Sequence, residues 1–307
     1  KPVDRTMDYA LWLTARDLAP VWLPKFQTGE DVFGGNVKGL TFALEAVGTK
    51  DVAKPLRALL DSKKLPKARE IDVRVLLARV GGADDIAYLL APANLDRVPS
   101  QPEMARVVSA IEESVRARKI APKDDVSQSA TLFVDSDNAA LRSAAWRLCG
   151  LWKLEHMRRE METRIASKET AMDTRLVCIE SLALLGGRTS LAKLEGYARE
   201  NALPAELRVG AIVALIDLDL PIAAREAVTF FNNSKVPEEN SPIFGAFLAR
   251  KGGSTELVMA LEGKKLNADV AKLGLKAVRS SVQDAKPLSD ALTKAGGLTA
   301  ARADYSP

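Results

Sequence analysis

Leu141-Arg142-Ser-Ala-Ala-Trp-Arg-Leu-Cys-Gly150 and Leu207-Arg208-Val-Gly-Ala-Ile-Val-Ala-Leu-Ile216 are two versions of one local pattern, and they decide the fold. In each, an apolar residue precedes an arginine, and small or apolar residues follow at helical spacing. The stripes Leu141, Ala145, Leu148, Cys149 and Leu207, Ala211, Leu215, Leu218 each fall on one face of a helix. Arg74, Arg106 and Arg175 belong to the same series, and the five arginines are separated by 32, 36, 33 and 33 residues. Self-similarity at such a period is the mark of a solenoid, whose repeats each bury an apolar face only by stacking on their neighbours. A helical solenoid is generally a surface for holding things rather than a pocket for chemistry.

Working outward from these stretches, helix signals come in pairs. The turns Val80-Gly-Gly-Ala-Asp84, Leu185-Gly-Gly-Arg-Thr189, Arg250-Lys-Gly-Gly-Ser254 and Val47-Gly-Thr-Lys-Asp51 each place glycine at a helix end, ahead of a hydroxyl or carboxylate. Glycine supplies a left-handed stop, and the polar side chain is expected to cap the next helix. Pairs starting near Asn36, Lys67, Glu103, Asn138, Met172, Pro204, Glu238 and Ala268 give about eight helical hairpins. Lys38 stands at the arginine position of the first pair and Lys272 at that of the last, while the Ser241–Arg250 repeat lacks it. The expected class is all-α, a right-handed α-α superhelix over residues 36–300. Residues 1–35 gather Tyr9, Trp12, Trp22 and Phe26 into two segments broken by Pro20 and Pro24, and read as a helical cap. The glycine-rich run from Val32 to Gly39 lacks phosphate-loop spacing and reads as a connector.

Composition narrows the function. The chain of 307 residues is 47% apolar and 27% charged, with a formal net charge of +4 and few aromatics. It holds no dense basic tract with interleaved aromatics, so nucleic acid is not an expected partner. Lys63, Lys64, Lys67 and Arg69 read as a solvated loop between repeats. No apolar run reaches the roughly 18–20 residues that span a bilayer. The chain starts at Lys1 and stops at Asp304-Tyr-Ser-Pro307, as a segment of a longer polypeptide would, with 301–307 a tail. This leaves localisation open.

Candidate chemistry is thin. Cys149 and Cys178 follow their arginines by 7 and 3 residues on similar helix faces, and read as buried thiols rather than a bridge. His156 is the single histidine, so it has no second imidazole for a metal set. Cys149 on the apolar stripe is a poor nucleophile. The carboxylate pairs Asp84-Asp85, Asp124-Asp125 and Glu238-Glu239 sit at helix starts, where the helix dipole accounts for them. No cofactor, metal or catalytic residue is expected in this chain.

The apolar-Arg pair followed by small residues, Leu and Gly, in Leu141–Gly150, Leu207–Leu218 and Arg175-Leu-Val-Cys-Ile-Glu-Ser-Leu-Ala-Leu-Leu-Gly-Gly187, resembles the HEAT-repeat pattern across roughly 36–296. The resemblance implies that Arg74, Arg106, Arg142, Arg175 and Arg208 join a ladder of polar contacts between repeats. It also implies that side chains five residues on, Arg79, Arg147 and Glu180, with Trp146 beside them, point outward to a protein partner or an adjacent domain. For Trp146, packing between repeats is the preferred reading. The N-terminal run Asp8-Tyr-Ala-Leu-Trp-Leu-Thr-Ala-Arg-Asp-Leu-Ala-Pro20-Val-Trp-Leu-Pro24 looks like part of bacterial PVC-type haem-binding or membrane-bound dehydrogenase proteins. These join a β-propeller, HEAT repeats and a c-type haem domain. That likeness implies an exported, periplasmic parent in which this chain is a spacer. The chain itself has no Cys-x-x-Cys-His and no strand-rich repeat, so such redox groups would lie outside it.

Three functions are thus carried forward: a non-catalytic scaffold, a spacer of an exported dehydrogenase-like protein, and a HEAT-like DNA glycosylase or lyase. The mild charge and lone histidine argue against the last. The helix face is itself testable. Leu215→Ala is expected to lower the unfolding free energy by about 2–5 kcal/mol in denaturant titration, and a negligible loss would mean that the face is misassigned.

Overall fold

Alanine, leucine and valine at three- and four-residue spacing produce helix after helix along the chain. The computed structural model describes residues 5–28, 30–47, 52–63, 65, 67–123, 126–234, 236–281 and 285–298, and among these there is no strand. The chain divides into two compact units, Lys1–Trp152 and Lys153–Pro307.

The first unit holds α1 (Arg5–Asp17), α2 (Ala19–Gln27), α3 (Val37–Val47), α4 (Ala53–Asp61), α5 (Lys67–Val80) and α6 (Ala83–Leu90). These are followed by α7 (Pro92–Leu95), α8 (Gln101–Arg118), α9 (Val126–Thr131) and α10 (Ala139–Leu151). Helices α3, α5, α8 and α10 pack successively in one row, and α1 leans on α3 while α2 and α4 pair beside them. The second unit begins with a 3-10 turn, Glu155–Met157, then α11 (Arg158–Ala166), α12 (Met172–Leu185), α13 (Gly187–Arg199), α14 (Ala205–Leu215) and α15 (Leu220–Asn233). A second 3-10 turn, Pro237–Asn240, precedes α16 (Ser241–Ala249), α17 (Gly253–Leu261), α18 (Ala268–Ser280) and α19 (Lys286–Ala295). Here α12, α14, α16 and α18 form one row and α13, α15, α17 and α19 the other. Within each unit the architecture is repeat-like and all-α. The helices bearing the periodic arginines lie in the rows α5-α8-α10 and α12-α14.

Helix starts fall close to the expected positions at Val37, Lys67, Gln101, Ala139, Met172, Ala205 and Ala268, while near Glu238 a 3-10 turn stands and the α-helix starts at Ser241. The caps differ from expectation. At the three described glycine turns no hydroxyl or carboxylate of the turn caps the following helix. Gly82 precedes α6, and Asp85 folds back to accept its N–H at 2.9 Å. Gly186, at φ 75°, both ends α12 and starts α13, because a left-handed residue lets two helices meet without a polar linker. Side-chain caps occur instead at Ser100, Asn138, Asp219 and Asn267. The turn at 48–51, the pair Asp124-Asp125, Lys64 and the tail 301–307 lie outside the described residues, as does the side chain of Lys38.

The core is aliphatic, with Leu44, Leu77, Ile111, Leu148, Leu182, Leu215 and Leu292 all fully buried. Phe231 stacks on Phe244 at 4.5 Å within the second unit. Pro24 does not break its segment: α2 runs from Ala19 through Pro24 to Gln27, with Pro20 near its start, where no intrahelical N–H is needed. On α1 and α2, Met7, Tyr9, Leu11, Leu18 and Val21 are each more than half exposed. No helix among the described residues is long and apolar enough to cross a membrane.

Candidate binding cleft

The periodic arginines engage backbone and carboxylate partners, Arg74 and Arg175 buried, Arg142 and Arg208 half-buried and Arg106 exposed. Arg175 donates from Nε to the carbonyl of Ile165 at 2.9 Å, and Arg208 donates from Nε to Ala198 at 3.1 Å. Each acceptor lies ten residues upstream, in the last turn of α11 or α13. Helix C-termini leave carbonyls unsatisfied and carry partial negative charge, so a guanidinium from the next helix satisfies both needs. Arg142 donates to Ser136 at 2.7 Å across the turn before its helix. Arg106 pairs with Asp72, joining α8 to α5. Arg74 is fully buried against Glu70 at 2.8 Å, with Arg97 on the same carboxylate at 2.9 Å and Arg74 Nη1 left without a hydrogen bond.

Other basic side chains, off the period, bind helix ends in the same manner. Arg118 reaches the carbonyls of Ala78 and Val80 at 3.2 and 3.3 Å, and Arg158 reaches Gly186 at 3.4 Å. Lys153 donates to Leu184. Arg199 on α13 grips the buried Glu226 of α15 through Nε at 2.9 Å and Nη2 at 2.6 Å. These contacts escaped the sequence reading because they join residues about 30–40 apart whose spacing carries no motif. Lys272, placed at an arginine position, is exposed and pairs with Asp269 at 3.0 Å on its own helix.

The four expected partner-facing residues have different surroundings. Arg79 is exposed on α5, Arg147 is half-buried on α10, and Glu180 is half-buried on α12 in the other unit. Trp146 corrects the outward reading: it is fully buried and its Nε1 has no hydrogen-bond partner. Helix α10 buries Leu141, Ala144, Ala145, Trp146, Leu148, Cys149 and Gly150, so the indole falls within its covered part and off the accessible strip of Ala140, Ser143 and Arg147. Cys149 and Cys178 are both buried thiols outside any disulfide, and burial pushes the Cys149 thiol up to about 12. His156 is exposed on the first 3-10 turn. Among the described residues no group of three or more His, Cys, Asp or Glu is placed to hold a metal ion.

A concave site does appear where the sequence suggested only a connector. The chain between α2 and α3 folds over α4 and α5 and encloses a cleft of about 80 Å³. Its floor is apolar, from Phe26, Phe33, Leu40, Leu59, Val73 and Leu76. Its rim carries Glu30, Asp31, Asp72 and Arg69. Asp31 organises the loop, accepting the N–H of Gly35 at 2.9 Å and the guanidinium of Arg69 at 3.3 Å. The Gly35 hydrogen bond first, and Arg69 after it, hold the Asp31 carboxyl below its ordinary value. Gly35 sits at φ 80°, and a Cβ there would lie 2.2 Å from Arg69 Nη2, so only glycine lets the arginine lie against the loop. Asn36 closes the loop by accepting the Gly39 N–H at 2.9 Å at the start of α3. Behind the cleft, Trp22 meets the edge of Phe33 at 5.3 Å and donates to Ala15 at 3.0 Å.

A wider hollow of about 500 Å³ lies beside α8 and α10, but its polar groups are already engaged. Ser100 caps α8, and Ser136 donates to Gln101 at 3.3 Å. The smaller cleft is therefore the site whose rim still has charge to offer. No protein-family description, no curated protein and no solved structure matches this chain.

Proposed function

We propose that this protein is a non-catalytic interaction module, a HEAT-like right-handed α-α superhelix that holds a partner or a neighbouring domain. The observation that carries this reading is the repeated use of charge. Arg175 and Arg208 perform the same helix-end task one repeat apart, so their positive charge serves the array rather than a substrate. What remains for the outside is an apolar cleft with a charged rim, the composition of a contact site.

Two measurements test the reading. A compact protein of this length would have a radius of gyration of about 19 Å. Small-angle scattering from a superhelix is expected to give a clearly larger value, and a value near 19 Å would sink the superhelical reading. For the holding role, lysine-directed cross-linking in the native cell is expected to give links from this chain to another chain or domain. Intact links within the repeats with none leading elsewhere would remove the interaction reading.

A further inference from the structure

Resting on the interaction-module reading, we propose that the cleft between α2 and α5 is an anchor pocket for one large apolar side chain, Leu, Phe or Trp, of a partner polypeptide that carries lysine or arginine beside it. Size argues for the first half. Sites for drug-sized ligands usually measure about 300–1,000 Å³. A cleft of about 80 Å³ is on the scale of a single side chain. Interfaces place their strongest contacts in pockets of this kind, filled by a buried aromatic or aliphatic group.

Charge argues for the second half. The rim holds three carboxylates, Glu30, Asp31 and Asp72, against one guanidinium, Arg69. Arg69 is committed to Asp31, and Asp72 is shared with Arg106 from α8. Glu30 makes no ion pair among the described residues. An approaching cation therefore meets net negative charge at the mouth, while an acidic segment is repelled, and such complementarity selects partners and orients their approach. The pocket is also built before its occupant arrives. Asp31, Gly35 and Arg69 tie the loop to α5, and Asn36 ties it to α3, so little ordering is left to binding.

Trp22 supplies the readout, because its ring touches Phe33 on the cleft wall. The full chain is labelled with 5-fluorotryptophan, and the Trp22 fluorine resonance is identified by its loss in Trp22→Phe. The probes are short blocked peptides with a single Phe flanked by lysines, the same peptide flanked by glutamates, and a lysine-flanked peptide with Gly replacing Phe. The lysine-flanked Phe peptide is expected to shift the Trp22 resonance saturably. The glutamate-flanked peptide should bind roughly tenfold more weakly, and the Gly peptide should give no shift. Glu30→Lys, an exposed substitution that leaves the folded spectrum in place, should weaken the lysine-flanked peptide by about threefold to tenfold. Equal shifts from lysine- and glutamate-flanked peptides would overturn the charge selection. A shift from the Gly peptide, or none from any peptide at millimolar concentration, would overturn the anchor pocket. Those failures would leave cross-links from other faces intact, whereas loss of all such cross-links would count against the module itself.

Discussion

Arg175 and Arg208 occupy matching positions and bind matching carbonyls, yet their surroundings set different energetic weights. Arg175 is 5% exposed, so truncation would leave both a cavity and an unpaired carbonyl at the end of α11. Arg175→Ala is expected to cost about 2–4 kcal/mol. Arg208 is half-buried and lies over the ring of Phe230 at 4.9 Å. Its loss should cost about 1–2 kcal/mol, from one hydrogen bond and a cation–π contact. Urea titration of both variants checks the ranking, and the reverse order would show that helix-end capping is not what holds these residues. The sequence made these arginines visible by their period. It did not make their acceptors visible, because a backbone carbonyl has no residue identity to read. The cleft residues were less legible still: Asp31, Gly35 and Arg69 meet across 34–38 positions, and the glycine-rich run alone reads as a connector.

Among the helices, glycine shows how packing overrides propensity. Gly196 lies in α13 with open space where a Cβ would stand. Gly274 lies in α18, where a Cβ would come within 2.8 Å of Phe244 and 2.9 Å of Leu292. Helix propensity alone predicts that alanine stabilises both positions by about 0.5–1 kcal/mol. We expect this gain at Gly196 and a loss of about 1–3 kcal/mol at Gly274, where the extra methyl forces α16 and α19 away. Thermal melting of Gly196→Ala and Gly274→Ala separates the two, and a stabilised Gly274→Ala would show that this contact has room to give. The helix starts were legible because caps and apolar spacing are local. The burial of Trp146 was legible only as the preferred of two readings, because a one-face pattern does not say how much of α10 its neighbours cover.

Across the whole molecule, one buried thiol and two half-buried tyrosines should make the fold sensitive to alkali. Burial lifts the Cys149 thiol from 9.0 to about 12 and the Tyr88 and Tyr197 hydroxyls from 10.0 to about 12, with the hydrogen bond to Asp61 adding to the effect at Tyr88. In the unfolded chain the same groups release their protons near their ordinary values. The folded state thus holds more protons between about pH 9 and 12, so stability is intact below pH 9 and declines as pH rises toward 12. The melting temperature is expected to fall between pH 9 and 11, with tyrosinate absorbance rising at the melt. A flat melting temperature over that range would mean that these groups are open to solvent. By itself, the sequence determined the all-helical class, the spacing of the arginine-bearing helices and the burial of both thiols. Each follows from periodicity along a single helix or from one repeat to the next. Tertiary structure alone decided which carbonyl each arginine satisfies, where Trp146 points and that a loop closes an apolar cleft. Those outcomes depend on distances between residues far apart in the chain, set when helices pack, and no local pattern encodes them.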